Sequence, residues 1–248
     1  MIRILLICQL ILLFIVQDVE FKKDQLRYSR VREAYSEKEK NMLKLLNENS
    51  ININELRIYL RAFKEEKKIE LWAKNSFDKK YKLIKEYKIC RISGDLGPKR
   101  KQGDKQIPEG FYHINMFNPF SNFYLSLGIN YPNKSDKILG EKGNLGGDIF
   151  IHGSCVTIGC LPITNDRIEE LYIFCVEAKN SGQNTIPVTI FPIELTHDNF
   201  DKLKRKYNND ADKMGLWGDL KKGYELFNET KQLPSIGFLS SGRHTITM

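Results

Sequence analysis

A two-residue alternation, broken once by a charged turn, sets the terms for the whole chain. Leu56, Ile58, Leu60 and Ala62 alternate with Arg57, Tyr59 and Arg61, and after Lys64-Glu65-Glu66-Lys67 the pattern resumes at Ile69, Leu71 and Ala73. Only a pleated strand carries every second residue to the same face, so the stretch predicts a β-hairpin with one apolar side. Such a side must be covered, and the sequence offers both further strands and helices to cover it. Tyr81 to Cys90, Gly110 to Asn115, Phe123 to Leu127, Asp148 to Ile151 and Ile186 to Ile190 read as additional strands. Turn-rich pieces, Ser93 to Lys99, Gln102-Gly103-Asp104 and Pro108-Glu109-Gly110, separate them.

Past Cys160 the period changes. Ile168, Leu171, Tyr172, Cys175 and Val176 fall on one helical face, with Asp166 and Glu169 as an N-terminal capping pair and Asn180-Ser181-Gly182 as the stop. In the tail, Trp217, Leu220, Tyr224 and Phe227 are helix-spaced and predict a single C-terminal helix packed on the sheet. The fold class expected is mainly β with packed helices, α+β. With 248 residues, 41% of them hydrophobic, the chain has ample material for a core.

Charge is distributed unevenly. Residues 61 to 105 hold 15 Lys or Arg against 7 Asp or Glu, a surplus as large as the +8 of the whole chain. A basic face of this kind meets an anionic polymer or membrane, or is simply solvated. At the other end of the molecule, Arg3 precedes the apolar run Ile4 to Val16, which is short of the ~20 residues of a bilayer span and suits an export signal. The following Ile15-Val16-Gln17-Asp18 lacks small residues at a cleavage position, so residues 1–17 read as a signal peptide or an uncleaved anchor with inner-membrane association. Residues 18–50 are polar and charged and read as a spacer.

The chemistry concentrates in Ile151-His152-Gly153-Ser154-Cys155-Val156-Thr157-Ile158-Gly159-Cys160. A thiol attacks as thiolate, and an imidazole within reach supplies the base. Here Cys160 is the candidate nucleophile and His152 the base. Gly159 removes a side chain just before the thiol, so the N–H groups of Gly159 and Cys160 are placed to receive an oxyanion. A zinc site is the competing reading, since His152, Cys155, Cys160 and Cys175 are all zinc-capable. Against it, Cys175 falls on the apolar face of a predicted helix and no paired CxxC exists, so no metal and no cofactor is expected. Cys155 and Cys175 are expected as core thiols or disulfide partners, and His113, His197 and His244 as structural or surface residues.

The segment His152-Gly153 through Gly159-Cys160 resembles the signature of the L,D-transpeptidase catalytic (YkuD-like) family, with the short gap of its YafK-type branch. Ser93-Gly94 through Gly97-Pro98-Lys99, Gly103-Asp104, Pro108-Glu109-Gly110 and Tyr112 resemble the segment before the central strands of that family. Tyr131-Pro132-Asn133-Lys134-Ser135-Asp136, Gly146-Gly147, Thr164-Asn165 with Ile168 to Tyr172, and the tail from Trp217 to Phe227 resemble the branch itself. Together these cover roughly residues 50 to 235.

The resemblance implies a β-rich catalytic domain at 51–195 and a C-terminal helical extension at 196–248. It also implies a bacterial envelope, periplasmic setting and a cysteine acyl-transferase acting on peptidoglycan stem peptides through a thioester. An envelope protein linked to peptidoglycan is a further possible partner; nucleic acid is not one. By position, Cys160 is the nucleophile, His152 the base, and Gly159 and Cys160 the oxyanion donors, while the carbonyl of Gly153 orients the imidazole. Thr157, Ser154, Lys99, Tyr112 and Asp136 are nominated for substrate binding. Two departures bear on specificity: Ile158 stands where many relatives have a second histidine, and Leu161-Pro162 where an aliphatic residue and Arg are common. The missing Arg removes a carboxylate anchor, so hydrolysis by an amidase or L,D-carboxypeptidase is the alternative to transfer. A non-catalytic glycan-binding module is the further alternative.

Overall fold

The computed structural model describes residues 21–248 and builds them on a mixed eight-stranded sheet. Its strands are β1 (Leu56–Phe63), β2 (Lys68–Asn75), β3 (Lys82–Lys88), β4 (Gly110–Asn118), β5 (Ser126–Ile129), β6 (Phe150–His152), β7 (Leu161–Pro162) and β8 (Ile186–Phe191). They lie in the order β3-β2-β1-β8-β4-β5-β6-β7. Two neighbouring pairs, β1 with β8 and β6 with β7, are parallel. The expected hairpin is present as β1 and β2, paired from Leu56 with Asn75 to Phe63 with Lys68.

Helices cover both faces, and β1 explains why both are needed. Leu56, Ile58, Leu60 and Ala62 are fully buried in one cluster with the inner side of helix α3 (Asn165–Asn180), whose Ile168, Leu171, Phe174 and Val176 they join. Of the alternate residues of β1, Tyr59, Arg61 and Phe63 are buried as well, and Arg57 is partly buried. Phe63 enters a second cluster with Phe191 of β8 and with Phe200, Leu203, Trp217 and Leu220 from helices α4 (His197–Tyr207) and α5 (Ala211–Thr230). Tyr59 packs with Trp72, Tyr81 and Phe227. Arg61, 2% exposed, lies 4.9 to 5.1 Å from the ring centres of Tyr224, Phe63 and Phe227, and donates to Asn228 Oδ1 at 2.7 Å. A guanidinium is weakly hydrated and stacks on ring faces, so an aromatic cage with one carboxylate, Glu70 at 3.4 Å, holds it.

Three expectations need correction. The described part of the proposed spacer is helix α1 (Ser29–Glu48), which buries Val31, Ala34, Tyr35, Met42 and Leu46. Its polar residues pair with acids on α3: Tyr35 donates to Glu177 at 2.8 Å, Asn41 to Glu170 at 2.6 Å, and Lys38 bonds Asp166. Polar pairing across the helix interface made the stripe look like solvated chain. That same pairing uses Asp166 and Glu169, so no side chain caps the start of α3 at Thr164. The C-terminal region is two helices followed by a hairpin, β9 (Ser235–Phe238) and β10 (His244–Thr247), where one helix was expected. Asp210 accepts from the Lys213 N–H, starting α5 anew after α4.

His244, expected as a structural or surface residue, is structural. It is 6% exposed, its ring lies against Phe111 and Phe238, and its Nδ1 is 3.0 Å from Asp219. The residues proposed as signal or anchor, 1–17, lie outside the described residues. Among the described residues no helix is long and apolar enough to cross a membrane.

Candidate active site

The site is assembled at the β6–β7 end of the sheet. Parallel pairing sets Ile151 opposite Leu161 and His152 opposite Pro162. Continued by one residue, that register puts Cys160 level with Phe150, on the same face as His152. The two Cα atoms are then one strand apart and two residues along, roughly 8 Å by standard sheet spacings, a separation that two converging side chains bridge.

His152 is 1% exposed, and its Nδ1 is 2.5 Å from the carbonyl oxygen of Gly153. Nδ1–H therefore donates there and Nε2 is left as the basic nitrogen. Phe123 covers the imidazole, with ring centres 4.5 Å apart. Gly153 is required by close approach: a Cβ there would stand 2.6 Å from Asn165 Oδ1 and 2.6 Å from the Phe123 carbonyl oxygen. The next N–H, of Ser154, donates to Asn165 Oδ1 at 2.8 Å. Asn165 opens α3, so the helix start braces the histidine side of the loop.

Cys160 is half-buried, and its thiol donates to the carbonyl of Asp148 at 3.4 Å. Gly159 before it has φ +141°, and a Cβ there would lie 3.1 Å from the Gln106 carbonyl oxygen. Burial pushes the thiol above its usual value, and Asp148 adds to this, while the Phe150 backbone and the charge of Lys99 act in the opposite direction. Burial lowers His152, with the Gly153 carbonyl partly opposing it. The resting pair is thus neutral thiol and neutral imidazole, an arrangement for general-base attack.

The family model of the L,D-transpeptidase catalytic domain (YkuD) matches residues 58–193, a span that contains every residue of this pair and its supports. The chain belongs to the L,D-transpeptidase family. It is 38% identical over 192 residues to the Escherichia coli (strain K12) protein named "Putative L,D-transpeptidase YafK", covering 77% of this chain and 74% of that one. Among solved structures, the helical cell shape determining protein Pgp2 from Campylobacter jejuni aligns over 75% of this chain and 74% of its own, at 20% identity and a TM-score of 0.45. Bd1075 from Bdellovibrio bacteriovorus aligns over 74% of this chain and 75% of its own, at 19% identity and a TM-score of 0.39.

The residues nominated for substrate binding divide into two groups. Ser154 and Thr157 lie on the loop itself. Thr157 Oγ1 accepts from the N–H groups of Gly159 at 3.1 Å and Cys160 at 2.8 Å and donates to the Cys160 carbonyl at 2.7 Å. Both nominated oxyanion donors therefore already hold an acceptor, and Thr157 is a brace for the turn that carries Cys160. Lys99 is buried, with its Nζ on Asp104 at 2.6 Å and the Lys101 carbonyl at 2.8 Å, and it reaches the thiol only through its field.

Tyr112 and Asp136 stand elsewhere. The Tyr112 hydroxyl donates to Asp136 at 3.0 Å, and Asp136 also meets Arg100 at 3.1 Å and the Asn133 N–H at 3.1 Å. They form a buried cluster that caps helix α2 (Lys134–Leu139), and burial raises Asp136 to about 6. Both are buried in this cluster, Tyr112 5% and Asp136 2% exposed.

The four zinc-capable residues do not converge on one point. Cys155 is bonded to Cys90, and Cys175 is buried on α3. No group of three or more metal-capable side chains occurs among the described residues. Sequence reading missed Asp148, Phe123, Asn165 and Gln106. Asp148 and Gln106 contribute only a backbone carbonyl, which any residue type supplies and which leaves no composition signal.

Proposed function

We propose that the protein is a cysteine acyl-transferase of the cell envelope acting on peptidoglycan stem peptides. The reading rests on family membership together with one observation: a buried histidine on β6, oriented through Nδ1 by Gly153, and a half-buried free thiol on the residue that leads into the adjacent parallel strand β7. In the first step His152 Nε2 takes the proton from Cys160 as sulfur attacks a peptide carbonyl. The oxyanion needs donors, and the N–H groups of Gly159 and Cys160 are the nearest candidates. An entering oxyanion replaces the Thr157 hydroxyl as their acceptor, exchanging a neutral hydrogen bond for a charge-assisted one. Collapse expels the leaving amine, which receives the proton from His152, and a thioester remains. An acceptor amine, deprotonated by His152, then takes the acyl group and restores the thiol.

Hydrolysis is the second reading, and one observation favours it. Leu161 and Pro162 are buried in β7, so no guanidinium stands immediately after the nucleophile to hold a substrate carboxylate. Water and amine compete for the same thioester, and donor positioning decides between them.

Digestion of defined muropeptides, with products identified by mass, tests both readings. Cross-linked or exchanged products mean transfer, shortened products mean hydrolysis, and Cys160→Ala abolishes either. Turnover that persists in Cys160→Ala removes Cys160 from the mechanism. Intact mass after exposure to a carbapenem gives a second readout: an adduct on wild type, absent from Cys160→Ala, places the acyl group on that sulfur. Binding of glycan without turnover, alike in wild type and Cys160→Ala, replaces both readings with a binding module.

A further inference from the structure

Five residues before the nucleophile, Cys155 forms a disulfide with Cys90, 65 residues away in sequence. This bond joins the loop that carries the proposed nucleophile to the segment leaving β3. Cys90 is itself anchored at the site, since its N–H donates to the Pro162 carbonyl at 2.9 Å and its sulfur lies 3.5 Å from the Ser154 carbonyl oxygen.

The loop has little else to hold it. Ser154, Cys155 and Val156 are exposed, and Ile158 is 79% exposed, so no apolar burial fixes the turn between Gly153 and Gly159. Among the described residues, the hydrogen bonds of residues 155–158 are those of Thr157 with Gly159 and Cys160, which are internal to the loop. The last non-covalent tie to the body before Gly159 is at Ser154, through Asn165 and the Thr164 N–H. The disulfide is thus the tie that sets the path of the chain between base and nucleophile.

We infer that Cys90 and Cys155 are positioning residues for Cys160, and that reduction of their disulfide turns the enzyme off while leaving the fold intact. The inference rests on the reading of Cys160 as nucleophile. A dithiol is the co-reactant: its thiolate attacks one sulfur of the bond, its second thiol closes the mixed disulfide, and two electrons and two protons pass to Cys90 and Cys155 as the dithiol becomes a cyclic disulfide. Cys155 is exposed, so a reductant reaches it directly. The released loop keeps its ends at Ser154 and Gly159 but loses the constraint between them. Its entropy rises, and the fraction of time Cys160 spends in line with Nε2 falls. The global fold has other supports, because the sheet core and both helical layers lie outside the loop.

The test uses the full chain, oxidised, reduced with a dithiol, and as the double variant Cys90→Ala/Cys155→Ala. Far-ultraviolet circular dichroism is expected to be unchanged in all three. Muropeptide turnover is expected to fall roughly 100-fold in the reduced and variant forms, through kcat rather than KM. Reoxidation restores the wild type only. Alkylation of Cys160 by iodoacetamide, followed by peptide mass as a function of pH, reads the thiol without any peptidoglycan. In oxidised protein its rate shows a limb from His152, and in the double variant that limb is lost. If muropeptides are not turned over but the limb still depends on the disulfide, the substrate reading fails and the positioning role stands. Full activity and an unchanged limb in the double variant overturn it. So does melting of both reduced and variant proteins under assay conditions, which makes the bond a support of the fold alone.

Discussion

At the scale of single residues, two side chains determine how the thiol reacts. In the proposed mechanism His152 acts as base only when neutral, and burial lowers its pKa from the ordinary 6.5. Protonation silences the base, so activity is lost as pH falls through that lowered value. The acid limb of kcat/KM is therefore expected below 6.5, and burial puts the Cys160 thiol above 9.0, outside the working range. A pH profile of acylation checks this, and an acid limb above 6.5 contradicts it. Thr157 is the second. Thr157→Ser keeps the hydroxyl that braces the turn and is expected to stay within a few-fold of wild type. Thr157→Val removes it and is expected to lower kcat by about tenfold or more, as the geometry of Cys160 loosens. Single-turnover acylation of the two variants separates these outcomes.

At the scale of elements, the informative case is α1. Its face toward α3 mixes Met42 and Leu46, almost fully buried, with Tyr35 and Asn41 bonded to buried Glu177 and Glu170. Apolar residues alone would have announced an amphipathic helix. Polar partners on both sides diluted the periodicity until the segment resembled a spacer. Met42→Ala is expected to cost about 2 to 5 kcal/mol in chemical denaturation, the range for a fully buried side chain whose cavity does not collapse. A loss under about 0.5 kcal/mol, typical of solvated positions, returns α1 to the role of a spacer. The strand before the site shows the same limit at smaller scale. The pairing begins at Ser126, three residues later than the apolar run from Phe123, because Tyr124 takes φ +79° in a turn that lets Phe123 cover His152.

For the whole molecule, one buried ion pair links the second helical layer to the active site. Lys64, 1% exposed, meets Glu109 Oε1 at 2.8 Å and the carbonyls of Asp95, Gly97 and Ile107 at 2.7 to 3.2 Å. Glu109 Oε2 accepts from Trp217 Nε1 of α5 at 2.6 Å. The pair thereby pins the 95–109 loop, which supplies Gln106 behind Gly159 and Lys99 near the thiol. Lys64→Met leaves an unpaired buried carboxylate and is expected to cost about 3 to 5 kcal/mol, with a loss of activity at temperatures where the fold persists. Lys64→Met combined with Glu109→Gln removes both charges and is expected to recover part of the stability. Denaturation midpoints of the single and double variants measure the coupling, and additive losses exclude it.

The sequence by itself determined the hairpin at Leu56 to Ala73 and the helix that follows Cys160, because each is written in local period, and it nominated His152 and Cys160 from local spacing. The tertiary structure alone decided what covers the polar-looking face of β1, which cysteine Cys155 finds, and which of the nominated residues stand at the thiol. Those depend on contacts between segments 65 to more than 100 residues apart, such as Cys90 with Cys155 and Glu109 with Trp217. Local periodicity reports which face of an element is apolar. It carries no term for the partner that a polar side chain meets once the layers close.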